Sequence, residues 1–195
     1  ESNLAHLRRR VLESGADLGI AFDGDADRIG AIDGIGRTIW GDQLLTIFGL
    51  DVLKTHPKAR IIGEVKCSKV MYDTLRDAGA DIEMWKVGHS LIKARMAETN
   101  AVLAGEMSGH LFFADRYLGY DDAIYAGARL IELLGRSEQN LADWIDTLPT
   151  TFVTPEIRVA CPDSDKFNVT ARAAKHFGQA YEVNQVDGVR IEFEH

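Results

Sequence analysis

Cysteine is scarce in this 195-residue chain: Cys67 and Cys161 are the only two, and they lie far apart. Such a pair builds neither a disulfide framework nor a cysteine-rich zinc site, so both are expected as free, buried thiols of a reducing compartment. Positive charge is also in short supply. Acids outnumber Lys and Arg by 30 to 22, for a formal charge of −8, which speaks against a general nucleic-acid platform or a polybasic membrane binder. No long apolar run, internal repeat, low-complexity tract or signal-peptide pattern is visible. Neither nucleic acid nor membrane is therefore expected as a partner, and the cytoplasm is the expected compartment. An initiator methionine is missing as well: residue 1 is Glu, and the chain reads as a piece of a longer protein. What is present is core. Hydrophobic residues make up 46% and charged residues 27%, enough apolar surface to offset chain entropy and exclude a disordered segment. The length suits one large domain or two small ones.

Residues 3–13 carry Leu4, Leu7, Val11 and Leu12 on a helical period and stop at Gly15. Residues 17–22 form an apolar run too short for a helix and read as a buried strand. Beyond the acidic loop 23–28, residues 29–32 read as a strand, 33–36 as a turn and 37–40 as the returning strand. Asp42 can then cap a helix bearing Leu44, Leu45, Ile47, Phe48, Leu50, Val52 and Leu53, halted before Pro57. Strands at 59–65, 81–85 and 101–105 alternate with helices at 69–78, 90–98 and 122–134. That alternation defines the fold class as α/β, a mixed, mostly parallel sheet layered with helices on both faces. The tail differs. Residues 151–160 read as an edge strand because of Pro155, and 164–177 as a helix capped by Asp163 or Ser164 and stopped by Gly178. Asp187-Gly188 between two apolar runs marks a hairpin. About 45 residues of this kind are too few for a dependable independent core.

The strongest local signal is Asp23-Gly24-Asp25-Ala26-Asp27-Arg28. Alternate carboxylates on a tight turn converge their oxygens on one point, the geometry hard divalent cations require. Gly24 lets the backbone curl, and Ala26 adds little bulk. An EF-hand loop needs Gly at position 6 and Glu at position 12; Arg28 and Gly34 stand there, so that reading fails. A phosphatase of haloacid-dehalogenase type also sets D-x-D after a strand, but normally with Thr or Val where Asp27 stands. It remains an alternative.

The loop resembles the D-G-D-G-D-R metal loop of the α-D-phosphohexomutases, with Ala26 as a one-residue departure. A second segment, Gly105-Glu106-Met107-Ser108-Gly109-His110, follows a strand end, where open α/β sheets bind ligands. It is similar to the sugar-binding loop of the bacterial phosphomannomutase/phosphoglucomutase enzymes. Lys66 in EVKCS and His89 in KVGHSLIK stand where that family carries Lys and His. Asp121 and Asp122 in the family-like segment 119–122 are expected as helix caps.

The resemblance implies a reversible exchange between hexose 1-phosphate and hexose 6-phosphate, of glucose or mannose, through a phosphoserine and a bisphosphorylated sugar. Asp23, Asp25 and Asp27 would hold Mg²⁺, and Arg28 would meet a phosphate. Glu106, Ser108, Lys66 and His89 would bind substrate, and His110 would move a proton. Glucose 1,6-bisphosphate or mannose 1,6-bisphosphate would serve as activator and intermediate. The expected partner is a small-molecule hexose phosphate, and the parent protein is expected as a monomer. By the same resemblance residues 1–37 end a metal-loop domain, 38–149 form a complete sugar-binding domain, and 150–195 open a phosphate-binding domain. The family's phosphoserine loop and terminal phosphate loop do not occur in these residues, so the chain alone is expected to be inactive. A non-catalytic sugar-phosphate-binding protein is the other alternative.

Overall fold

A 3₁₀ turn, Ser2–Leu4, leads into helix α1 (Ala5–Ser14), which Gly15 ends at φ 66 with its N–H on the Val11 carbonyl. The computed structural model describes residues 2–150 and 157–193. Strands β1 (Leu18–Phe22), β2 (Ile29–Asp33) and β3 (Thr38–Ile39) make an antiparallel sheet in that order. Pairing continues to Phe22 opposite Ile29, so residues 23–28 are the loop that closes the first hairpin. At the other end, buried Asp33 accepts hydrogen bonds from the Ile35 and Arg37 N–H groups and from Arg37 Nε, which fixes the turn into β3.

Helix α2 (Gly41–Leu53) follows. Asp42 does not cap it. Trp40 holds the cap position, its N–H donating to the Gln43 side chain, while Asp42 is buried in the first turn and accepts from Gln43 N and Ser68 N at 3.0 and 2.8 Å. The chain then alternates through β4 (Arg60–Glu64), α3 (Lys69–Asp77), β5 (Asp81–Trp85), α4 (His89–Thr99) and β6 (Leu103–Gly105). It returns along β7 (Leu111–Phe113) and continues into α5 (Ala123–Gly135) and α6 (Leu141–Asp146). The sheet order is β5-β4-β6-β7; β4 runs parallel to both neighbours and β7 antiparallel to β6.

The sheet is therefore mixed and mostly parallel, with apolar side chains on both faces. Along each strand successive residues divide between two cores. Ile61, Leu103, Leu111 and Phe113 join α2, α3 and α5 in the larger one, whereas Ile62, Ala104 and Phe112 pack with Ile92 and Met96 of α4. Strand β7 and helix α6 were not expected from the sequence. Cys67 is buried, as expected, but Cys161 is exposed.

Residues 1–149 form one compact unit and 150–195 a second. In the second, α7 (Lys166–Phe177) is followed by the antiparallel hairpin β8 (Glu182–Asn184) and β9 (Arg190–Glu192), with Gly188 at φ 71 in the turn. Of the strand expected over 151–160, residues 151–156 lie outside the described residues. Residues 157–160 are exposed and have no regular structure. Neither Asp163 nor Ser164 caps α7; Asp165 holds that position without a side-chain bond. Among the described residues no helix is long and apolar enough to cross a membrane.

Candidate active site

The parallel ladder sets Glu64 level with Trp85 and Gly63 level with Gly105. The segments carrying Lys66, His89 and Glu106 to His110 thus leave the sheet along one edge, at the carboxyl ends of three adjacent strands. The hairpin loop 23–28 comes to the same edge. Ile29 N–H donates to the Gly109 carbonyl at 3.1 Å, and Arg28 pairs with His110 as a single antiparallel bridge.

In the hairpin loop, Asp23, Asp25 and Asp27 each offer an oxygen, and these oxygens lie within 4.8 Å of one another. The residue in the left-handed region is Ala26, at φ 60, so the tight curl belongs there and not to Gly24. Arg28 N donates to Asp23 at 3.1 Å and Arg28 Nε at 2.6 Å, with Asp27 a further 3.6 Å contact. Although desolvation opposes it, this pairing holds the Asp23 carboxyl below its ordinary value. Asp27 Oδ1 is buried without a hydrogen-bond partner among the described residues. Three hard oxygen donors, one of them unsatisfied, fit a divalent cation of the Mg²⁺ class.

His110 joins this loop to the second segment. Its Nε2 lies 3.3 Å from Asp27 Oδ2, and its Nδ1 lies 2.5 Å from Glu106 Oε2. An ionised carboxylate only accepts, so Nδ1 carries a proton toward Glu106. Burial disfavours the imidazolium, but the hydrogen bond and charge of Glu106, with Asp27 behind them, raise the His110 pKa above the ordinary imidazole value. Glu106 is buried, yet the same pairing, together with donors from Gly88 N at 2.7 Å and Ser108 Oγ at 3.1 Å, holds its pKa low.

The His89 ring stacks on His110 at 5.7 Å between centroids with an 18° interplanar angle. Behind it Asp121, its side chain only 6% exposed, takes the Lys93 ammonium at 2.8 Å and approaches His89 Nδ1 at 3.2 Å. Asp121 is not a helix cap; Asp122 caps α5 by accepting from Tyr125 N. Lys66 has an exposed side chain, and its N–H donates to Glu64 Oε2 at 3.0 Å. The geometry brings Asp27, Glu106, Ser108, His110 and His89 into one contact network and sets Lys66 one strand away. Asp121, Lys93 and Glu64 are the members sequence reasoning missed. Glu64 offers only a carboxylate at a strand end, Asp121 fits a helix cap by residue type, and Lys93 is a single cation inside α4.

The comparisons name the family to which this fold belongs. Residues 40–152 match the family model described as phosphoglucomutase/phosphomannomutase, alpha/beta/alpha domain III. The chain belongs to that family. It is 45% identical over 193 residues to the phosphomannomutase/phosphoglucomutase of Pseudomonas syringae pv. tomato, covering 98% of this chain and 41% of that protein. A phosphoglucomutase/phosphomannomutase family protein from Burkholderia thailandensis superposes with a TM-score of 0.89 at 41% identity, over 98% of this chain and 41% of that one. The N-acetylphosphoglucosamine mutase of Aspergillus fumigatus shares the fold alone: TM-score 0.56 and 14% identity over 67% of this chain and 35% of that one. The chain thus spans about two fifths of the length of the relatives it matches.

Proposed function

We propose that this chain is the central part of a phosphohexomutase that interconverts hexose 1-phosphate and hexose 6-phosphate, of glucose or mannose. Phosphoryl exchange would occur with a phosphoserine outside these residues, through a bisphosphorylated sugar such as glucose 1,6-bisphosphate. The observation that carries this reading is the 3.3 Å approach of His110 to Asp27, which joins the acidic loop to the segment 105–110. The A. fumigatus protein of the same fold is described as a complex with GlcNAc-6P and magnesium, ligands of the two classes proposed here.

In this reading Asp23, Asp25 and Asp27 would hold Mg²⁺, which would neutralise charge on the transferring phosphoryl group. Arg28, with its Nε on Asp23 Oδ2, would present its terminal guanidinium nitrogens to a phosphate. Ser108 is exposed and offers its hydroxyl to the sugar. Glu106 Oε2 already accepts from His110 and Ser108, so its capacity for a sugar hydroxyl lies on Oε1 beside Gly88 N–H. Lys66 and His89 supply donors at the rim for the phosphate not being transferred. His110, poised between two carboxylates, holds a proton on Nε2 for exchange with the attacking or leaving sugar hydroxyl.

The phosphatase alternative needs Asp23 as a free nucleophile, yet Arg28 ties it through both main chain and side chain. A binding protein without catalysis is separated by assay. The full-length protein, with Mg²⁺ and the bisphosphate activator, is expected to interconvert glucose 1-phosphate and glucose 6-phosphate. Residues 1–195 alone are expected to give background. Absence of turnover in the full-length protein, with sugar phosphate still bound, would leave only the binding role.

A further inference from the structure

We propose that Glu64 is a positioning residue that holds two substrate segments at a fixed spacing. Glu64 is the last residue of β4 and is 0% exposed. One carboxylate oxygen, Oε2, accepts from Lys66 N at 3.0 Å; the other, Oε1, accepts from Met107 N at 3.2 Å. Lys66 lies in the segment after β4, and Met107 lies between Glu106 and Ser108 in the segment after β6. A single buried side chain therefore spans both. Its main-chain carbonyl is fixed in turn, accepting from Tyr72 Oη at 2.8 Å and Cys67 N at 2.9 Å.

The residue type carries the argument. Burying a carboxylate among apolar groups is costly, and a neutral amide of the same length would reduce that cost. Both ends of this side chain, however, face N–H donors. Only a carboxylate presents an acceptor at each end; a glutamine must turn its NH₂ toward one of the two backbone amides. The acid is thus required by the span, not by either segment alone. Glu106 extends the linkage through Oε1 to Gly88 N, next to His89. Three segments on one sheet edge are pinned by two carboxylates.

The consequence for catalysis rests on the mutase reading, which puts Lys66, Glu106 and Ser108 on the substrate. Those groups grip the sugar phosphate in the ground state and in the transition state alike. Loosening their spacing removes uniform binding, which appears in KM and not in kcat.

The test uses the full-length protein with Glu64→Gln and Glu64→Asp. Amide hydrogen exchange at Lys66 and Met107 reads the clamp without any catalysis, and steady-state kinetics with glucose 1-phosphate reads its effect. For Glu64→Gln the expected result is exchange at least tenfold faster at one of the two amides. KM should rise about tenfold with kcat within about threefold of wild type. Glu64→Asp, which keeps two acceptors on a shorter arm, should fall between wild type and Glu64→Gln in KM. If Glu64→Gln does not fold, the aspartate variant decides by the same two readouts. Unchanged KM in the variant that folds, or a loss confined to kcat, overturns the proposal. A wild-type protein without turnover would sink the mutase reading alone, while amide protection would still decide the clamp.

Discussion

Ala26 occupies the left-handed region at φ 60 in the middle of the acidic loop. An L-residue there brings its Cβ against the following carbonyl, at a cost on the order of 1–2 kcal/mol that glycine does not incur. Glycine's greater freedom in the unfolded chain returns part of that difference. Ala26→Gly is therefore expected to stabilise the protein by about 1 kcal/mol. Because Ala26 contributes no oxygen, Mg²⁺ affinity should hold or improve, and calorimetry with denaturant unfolding checks both. A weaker cation site in the variant would show that the methyl group shapes the loop. Asp25→Asn tests the loop from the other side. It removes one of three convergent charges, and Mg²⁺ binding to the full-length protein should weaken at least tenfold.

Between elements, the contact that brings the two segments together depends on Gly109. At φ 101 it lies where L side chains are strained, and a Cβ there would meet the Ile29 carbonyl oxygen at 2.5 Å. Gly109→Ala must break the Ile29 N–H to Gly109 bond or shift β2. A loss of at least about 2 kcal/mol is expected, together with weaker binding of both cation and sugar phosphate; loss of one alone would uncouple the segments. A second joint ties the exit of β7 to α5. Arg129 and Asp115, 6% and 3% exposed at their side chains, pair through two bonds of 2.8 and 2.9 Å, with the guanidinium over the Phe113 ring. Burial opposes the charge on Asp115, but the Arg129 hydrogen bonds and charge override it and hold the carboxyl below its ordinary value. Its stabilisation is thus fully present above about pH 4 and is lost as pH falls through the lowered value. Asp115→Ala should cost about 3–5 kcal/mol at neutral pH by stranding the arginine, and the gap from wild type should close in acid.

The elements legible in the sequence were those with a sustained period. Strands β4, β5 and β6 and the helices between them emerged from alternation, because each buries a face that needs several periodic residues. Strand β7 is only three residues long, too short to show a period, although Ser108-Gly109 ahead of it is a turn signal. Helix α6 escaped although Asn140 and Asp143 form a reciprocal cap, a signature visible in the sequence once sought. Asp42 fits a cap by residue type, but the helix starts one residue ahead of it at Gly41, so it lies in the first turn, where it serves Ser68 instead. For the site, spacing supplied the candidate residues but not their contacts. Glu64, Asp121 and Lys93 depend on register across the sheet and on loop closure, and neither is written in any local pattern.

At the scale of the whole chain, the two units differ in how they are held. Every buried residue among those described belongs to residues 1–149. Helix α7 and its hairpin contain none, although Phe177, Tyr181 and Phe193 form an aromatic cluster with ring centroids 4.9 to 6.4 Å apart. About 45 residues with so little buried surface fall short of what offsets their conformational entropy. Residues 1–149 should therefore unfold cooperatively on their own, with a thermal midpoint within a few degrees of the 195-residue chain. Residues 150–195 alone should show weak helical circular dichroism and no sharp transition. The comparison has a clear contrary outcome. If removing 150–195 lowered the midpoint by more than about 8 °C, roughly the effect of 2–4 kcal/mol in a domain this size, the second unit would supply stability that its own exposed side chains do not account for.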